Sequence, residues 1–116
     1  MKKRTKNRKT GDRGEARVAL RLFFRGYRIL ERNYTFYHKE IDIIAKRKNV
    51  LAFVEVKTRS DTSVPPQLAV TAKKQYNIRK AAEAYCRAHH TEGLTIRFDI
   101  AEVKVGGGIN YIKNAF

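Results

Sequence analysis

The sequence predicts a single α/β domain, one sheet with helices on both faces. Three observations carry that expectation. The chain has 116 residues, the size of one compact domain with no room for a second. Helical and strand periodicities alternate along it. Its most apolar stretch, residues 40–58, reads as a hairpin with two apolar faces, which only a sheet covered on both sides can bury.

The first ten residues, MKKRTKNRKT, carry six positive charges and no apolar side chain beyond Met1. They read as a disordered basic arm, equally a phosphate-binding tail or a solubilising extension. The remaining residues, 11–116, read as one domain. A helix is expected from Asp12 to about Arg25, ended by Gly26. Its apolar stripe is Ala16, Ala19, Leu20 and Phe23. Arg13, Arg17, Arg21 and Arg25 fall at successive i+4 steps on the opposite face, with no acid between them. They suit a phosphate backbone better than an ordinary solvated face. Glu15 lies at the edge of the apolar stripe. Alone, it reads as a first-turn acid favoured by the helix dipole.

Three strands follow, Tyr27–Tyr34, Glu40–Arg47 and Val50–Thr58. A two-residue loop, Lys48–Asn49, pairs Arg47 with Val50 and sets Asp42 opposite Glu55 and Glu40 opposite Lys57. Alternation puts Glu40, Asp42 and Ile44 on one face, with Ile41, Ile43 and Ala45 on the other. Glu55 and Lys57 share a face with Leu51 and Phe53. Two carboxylates about 5 Å apart among Ile, Phe and Val repel strongly and invite a hard divalent cation, which takes oxygen ligands. Lys57, one pleat beyond Glu55, can position a nucleophile or stabilise developing charge on a phosphodiester. The blander reading is one Glu40–Lys57 salt bridge beside two unrelated acids.

Asp42 followed by Glu55-Val56-Lys57 resembles the PD-(D/E)XK nuclease signature. The blocks GDRGEARVA, KEIDIIA, FVEVKTR, KKQ…AAEAY, RFDIAEV and YIKNAF resemble the YraN-like bacterial family, similar to archaeal Holliday-junction resolvases. The resemblance spans the chain from Gly11 onward. It implies a restriction-endonuclease-like αβββαβ core of α/β class, a mixed sheet flanked by helices, with a C-terminal hairpin. It implies Mg²⁺ or Mn²⁺ held by Asp42, Glu55 and the carbonyl of Val56. It also makes Glu15 the acid of the first helix, brings Lys74 and Gln75 toward the site, and gives Gln75 a water to hold. Lys39 departs from the pattern, since the family has Gly there, and that puts the local turn in question.

Val64-Pro65-Pro66 reads as a rigid connector. Thr71 caps a helix running to about His90, with Ile78, Ala82 and Tyr85 as its stripe. Lys73 and Lys74 near its start are either phosphate contacts or surface charges. Cys86 and His90 are too few ligands for a zinc site. Leu94–Val105 reads as a strand with Asp99 paired to Arg97, and Ile109–Ile112 closes a hairpin after Gly106–Gly108.

Composition bounds the partner and compartment. Lys and Arg number 26 against 11 Asp and Glu, a net charge of +15. Such self-repulsion favours an anionic partner, nucleic acid first. One cysteine permits no intrachain disulfide, which suits a reducing cytoplasm, with association to the nucleoid open. No apolar run is long enough to span a bilayer, so neither a membrane nor a small-molecule substrate is expected. The leading expectation is a metal-dependent endonuclease on branched or structured DNA. The alternative is a non-catalytic nucleic-acid-binding module of the same fold. A ribosome-associated basic protein would explain the charge but not the acid spacing. Paired incision of a junction would require a homodimer, with the C-terminal strand ending in Phe116 as one candidate edge.

Overall fold

The structure, a computed structural model, describes the backbone of residues 6–116 and the side chains from Arg13 onward. Its elements run α1 (Lys6–Phe24), β1 (Arg28–Phe36), β2 (Lys39–Arg47), β3 (Val50–Arg59), α2 (Pro66–Ala69), α3 (Ala72–Ala88), β4 (Thr95–Lys104) and β5 (Ile109–Ile112). The five strands form one sheet in chain order. The β3–β4 pair is parallel and every other pair antiparallel. This is the αβββαβ order with a C-terminal hairpin that the sequence led us to expect. α2 is an addition, a single turn with Pro66 in its first positions, where a missing N–H costs nothing.

The sheet is covered on both faces. Ile44, Leu51, Phe53 and Ile100 pack under α3 against Ile78, Ala81, Ala82 and Tyr85. Ile43, Ala45, Ala52, Val54, Ala101 and Val103 pack on the other face against Val18 and Leu22 of α1. The N-terminus of α3 is capped as its sequence implies, with the Lys74 N–H donating to Thr71 Oγ1 at 3.1 Å. No helix among the described residues is long and apolar enough to cross a membrane.

The first helix differs from expectation in two ways. It begins at Lys6, so it takes in residues 6–10 of the expected arm; residues 1–5 of that arm lie outside the described residues. Its buried face is Gly14, Glu15, Val18 and Leu22, whereas Ala16 is exposed, Leu20 is 58% exposed and Phe23 62%. The more apolar stripe is therefore not the one that meets the sheet. Packing explains this. Gly14 lies so close to β3 and β4 that a Cβ there would come within 2.5 Å of Thr58 Oγ1, so the helix docks through its smallest residue. Glu15 joins the buried face because β1 supplies it with partners.

The β2–β3 register matches the one read from the loop. Arg47 pairs with Val50 and Ile43 with Val54, and Lys48 turns the chain at φ 55°. The ladder ends there. One residue further, strand alternation fails on both sides of the β1–β2 pair. Ile43 packs under α1 but Ile41 under α3, so Ile41 does not share the face of Ile43 and Ala45 as strand alternation predicts. Across from them, Arg32 pairs with Ile43 and Tyr34 with Ile41. Asn33, at φ 55°, falls between these two pairs, which flank Asp42. Asp42 thus sits at a discontinuity where two strands part. Lys39, the departure from the family pattern, pairs normally with Phe36, and the turn's positive φ is carried by Tyr37 instead.

Candidate functional site

The gap between β2 and β3 is where the acids meet. With no β2 backbone opposite, the Val56 N–H donates to Asp42 Oδ2 at 2.8 Å. N–H and C=O of one strand residue point to the same side, so the Val56 carbonyl faces this gap as well. Glu55, only 3% exposed, stands next to Asp42 on the α3 side. Its Oε2 faces two ammonium groups, Lys57 Nζ at 3.8 Å and Lys74 Nζ at 3.7 Å. Its Oε1 is buried and receives no N–H or hydroxyl donor, which leaves the Asp42 carboxyl as its polar neighbour.

Burial pushes the Glu55 carboxyl well above the usual range. The Asp42 charge pushes it further, and Lys74 and Lys57 pull it back only in part. Asp42 is also raised, chiefly by burial, against the Val56 N–H, Lys74 and its contact with Glu55. Two adjacent buried carboxyls cannot both ionise cheaply. They must share a proton or a cation.

The donor set suits a hard divalent ion. A buried carboxylate oxygen without an N–H or hydroxyl donor, a second carboxylate and a backbone carbonyl converge on one gap, all oxygen ligands. Among the described residues no three His, Cys, Asp or Glu side chains form such a group. The acids that meet at the gap are Asp42 and Glu55, and Glu15 does not join them. Glu15, 4% exposed, is instead held by Arg32 Nη2 and Asn33 Nδ2, each at 3.0 Å. Asn33 falls between the two pairs that flank Asp42, so Glu15 is tied to β1 beside the acid pair rather than to the pair itself.

The other expected residues divide. Lys57 and Lys74 converge on Glu55. Gln75 is near the start of α3, but its amide donates to the Val70 carbonyl at 3.1 Å, a bond that closes the α2–α3 turn. Lys73 is exposed. Of the arginine ladder, Arg13 is exposed, while Arg17 donates to the Gly107 carbonyl in the β4–β5 turn at 2.9 Å. Arg21 and Arg25 line a cavity on the far face of the sheet. An i+4 step rotates about 40° around a helix. The ladder therefore does not stay in one environment: Arg13, Arg17 and Arg25 are exposed while Arg21 is half-buried, unlike the uniform opposite-face stripe expected.

Two residues were missed. Glu102 of β4, 2% exposed, lies beside Lys57 in the parallel register. It pairs with Arg59 at 2.6 Å and accepts from Asn110 Nδ2 at 3.3 Å. Arg59 also donates to the Val64 carbonyl, tying the 60–65 loop beside the site. The available signal was an acid in an otherwise apolar strand. Its neighbour could not be named, because a crossover hides parallel register from the sequence.

Residues 14–103 match the model of the uncharacterised protein family UPF0102. Similar chains that carry the name UPF0102 protein include three of 43–45% identity. That of Trichlorobacter lovleyi is 45% identical, over 95% of this chain and 91% of its own. That of Pelobacter propionicus is 45% identical over 97% and 86%. That of Syntrophus aciditrophicus is 43% identical over 97% and 91%. Among solved structures, Pyrococcus furiosus SfsA in complex with Ca²⁺ is similar at 17% identity and a TM-score of 0.33. That match covers 90% of this chain but only 62% of SfsA, and it is too slight to carry an argument.

Proposed function

This chain belongs to the uncharacterised protein family UPF0102, and on that premise we propose that it is a divalent-metal-dependent endonuclease acting at the β2–β3 gap. One observation carries the reading: Asp42 and Glu55 are buried carboxyls in direct contact, and no N–H or hydroxyl group reaches Glu55 Oε1. A protein leaves such an oxygen unsatisfied at a cost of about 1–3 kcal/mol, which a cation would offset. Asp42, Glu55 and the Val56 carbonyl would hold the ion. When bound, Mg²⁺ or Mn²⁺ supplies an activated water and screens phosphate charge.

The chain's own groups do the rest. Lys57 and Lys74, about a third and two-fifths exposed, present ammonium groups at the mouth of the gap, where a phosphodiester would lie. As charge develops on its oxygens they stabilise it without reorganising. The Val56 N–H holds Asp42 in one orientation, and Asn33 with Glu15 fixes the β1 side of the break. DNA is the expected substrate, since the net charge of +15 favours a polyanion. Branched or flapped forms are the expected preference within it.

A second reading rests on the same lysines. Both ammonium groups lie within 4 Å of Glu55 Oε2, so the site can neutralise itself and serve a binding module without turnover. Incubation with linear, single-stranded, flap and four-way DNA, in Mg²⁺, Mn²⁺ or chelator, separates the two. Metal-dependent products from any substrate support the enzyme. Retention of all four uncut, with binding intact, supports the module.

A further inference from the structure

The C-terminal half of the arginine ladder is spent on the face of the sheet away from the acid pair. There Arg21 and Arg25 of α1, Arg47 at the end of β2 and Lys113 after β5 line one cavity of about 380 Å³. Its remaining lining is Leu22, Tyr27, Ile109, Asn110 and Tyr111, with no carboxylate. It is also at the other end of β3. Arg47 pairs with Val50, five residues from Glu55, which is roughly 17 Å of strand.

We propose that this cavity is a second anion site, taking a phosphomonoester or oligophosphate group from a strand terminus or a free nucleotide. It stands independently of the nuclease reading. Four cations gathered without an acid repel one another, and a multiply charged anion is what relieves that. A mid-strand phosphodiester carries one charge, whereas a phosphomonoester carries about −1.5 to −2 at neutral pH. Size points the same way, since about 380 Å³ falls in the range of small-ligand pockets and is too small to admit a duplex.

The walls are already set for it. Arg47 donates to the Arg25 carbonyl at 3.0 Å and its guanidinium stacks 4.9 Å from the Tyr27 ring centre, so its charge is held in place. Beneath, the Tyr27 hydroxyl accepts from Arg97 at 2.6 Å, Arg97 pairs with buried Asp99, and the Tyr111 hydroxyl donates to Asp99 at 2.6 Å. Burial and the Asp99 charge push the Tyr111 hydroxyl well up, so its one proton stays on the Asp99 bond and fixes that wall. The C-terminus of α1 would by itself repel an anion. The carbonyls of Arg21, Leu22 and Phe23 are taken, however, by the N–H groups of Arg25, Gly26 and Tyr27, and Arg47 holds that of Arg25 just beyond the helix.

The test is calorimetry on the full chain with chelator throughout, so that no ion at the acid pair contributes. The probes are inorganic pyrophosphate, a nucleoside triphosphate, and one short single strand bearing either a 5′-phosphate or a 5′-hydroxyl. Pyrophosphate should bind saturably and compete with whichever organic ligand uses the pocket. An Arg25→Ala/Lys113→Ala double variant, at two exposed positions, should weaken it at least about tenfold, while Asp42→Asn should leave it unchanged. A strand terminus is the source if the phosphorylated strand binds more tightly than its hydroxyl twin and the double variant erases the difference. A free nucleotide is the source if the triphosphate outcompetes both strands. The proposal fails if pyrophosphate does not saturate the wild-type chain at millimolar concentration, or if the double variant binds it equally well. It also fails if the strands bind alike and pyrophosphate displaces neither, the behaviour of a plain solvated basic face.

Discussion

At the scale of single residues, Glu55 is where burial, like charge and missing hydrogen bonds coincide. Its carboxyl sits above its ordinary value of 4.5, so the folded chain binds this proton more tightly than the unfolded chain. Stability is then fully present at acidic pH and is lost as pH rises through the raised value. Glu55→Gln removes the titrating group but keeps the shape. Without metal, the variant is expected to melt higher than wild type at pH 8 and to flatten the alkaline decline. Mg²⁺ or Mn²⁺ should raise the wild-type melting temperature at that pH, since a ligand of the folded state stabilises it, and should do little for the variant. Thermal melts across pH, with metal or chelator, read both effects. A variant melting below wild type at pH 8 in chelator would place Glu55 among structural salt bridges instead. This pair was legible beforehand, because a two-residue loop fixes strand parity. Lys74 was not legible from spacing, since nothing in a sequence places the start of one helix over the middle of a strand.

At the scale of elements, the hairpin's register read correctly from its loop as far as Ile43 and Val54, and the docking face of the first helix did not. The β2–β3 hairpin is local, so its register follows from its own loop. The face of α1 is decided by distant partners: Thr58 and Val103 against Gly14, Arg32 and Asn33 against Glu15. Apolar periodicity sees neither, and so favours Leu20 and Phe23 over a face containing Gly and Glu. The correction has a measurable consequence. Val18→Ala, at a position with no exposure, should cost about 1.5–3 kcal/mol, while Leu20→Ala should stay within about 0.5 kcal/mol. Chemical denaturation of both variants decides it, and the reverse order would restore the apolar stripe as the docking face. The break at Asn33 and Asp42 was equally hidden. It arises where two strands change faces together, and each strand alone still alternates acceptably.

At the scale of the whole molecule, charge is the dominant property. Four of the eleven acids, Glu15, Glu55, Asp99 and Glu102, are buried, which adds to the cationic excess of the surface. Nucleic-acid affinity should therefore fall steeply with salt and depend little on sequence. The log–log slope should be on the order of one unit per neutralised phosphate. Gel shifts or anisotropy on two unrelated sequences from about 50 to 200 mM salt read it, and a flat profile would contradict the account. Symmetric incision of a junction would add the need for a dimer. The sheet has two edge strands, β1 and β5, and the C-terminal one is Ile109–Ile112. Phe116 is not part of that edge, since its ring folds back to stack 5.5 Å from Phe98 beneath Arg79. Composition disclosed the charge at once, but its division between two faces of the sheet depends on how the helix winds, which only the docked helix reveals.

The central claim is that Asp42 and Glu55 hold a catalytic ion, and Asp42→Asn tests it most directly. Wild-type and variant proteins, freed of contaminating nuclease, are compared on one four-way DNA substrate for nicking in Mn²⁺ and for binding in chelator. The account predicts that the variant loses metal-dependent nicking while binding as tightly as wild type or more so, because a carboxylate that repels phosphate is gone. Equal nicking by the two proteins would contradict it.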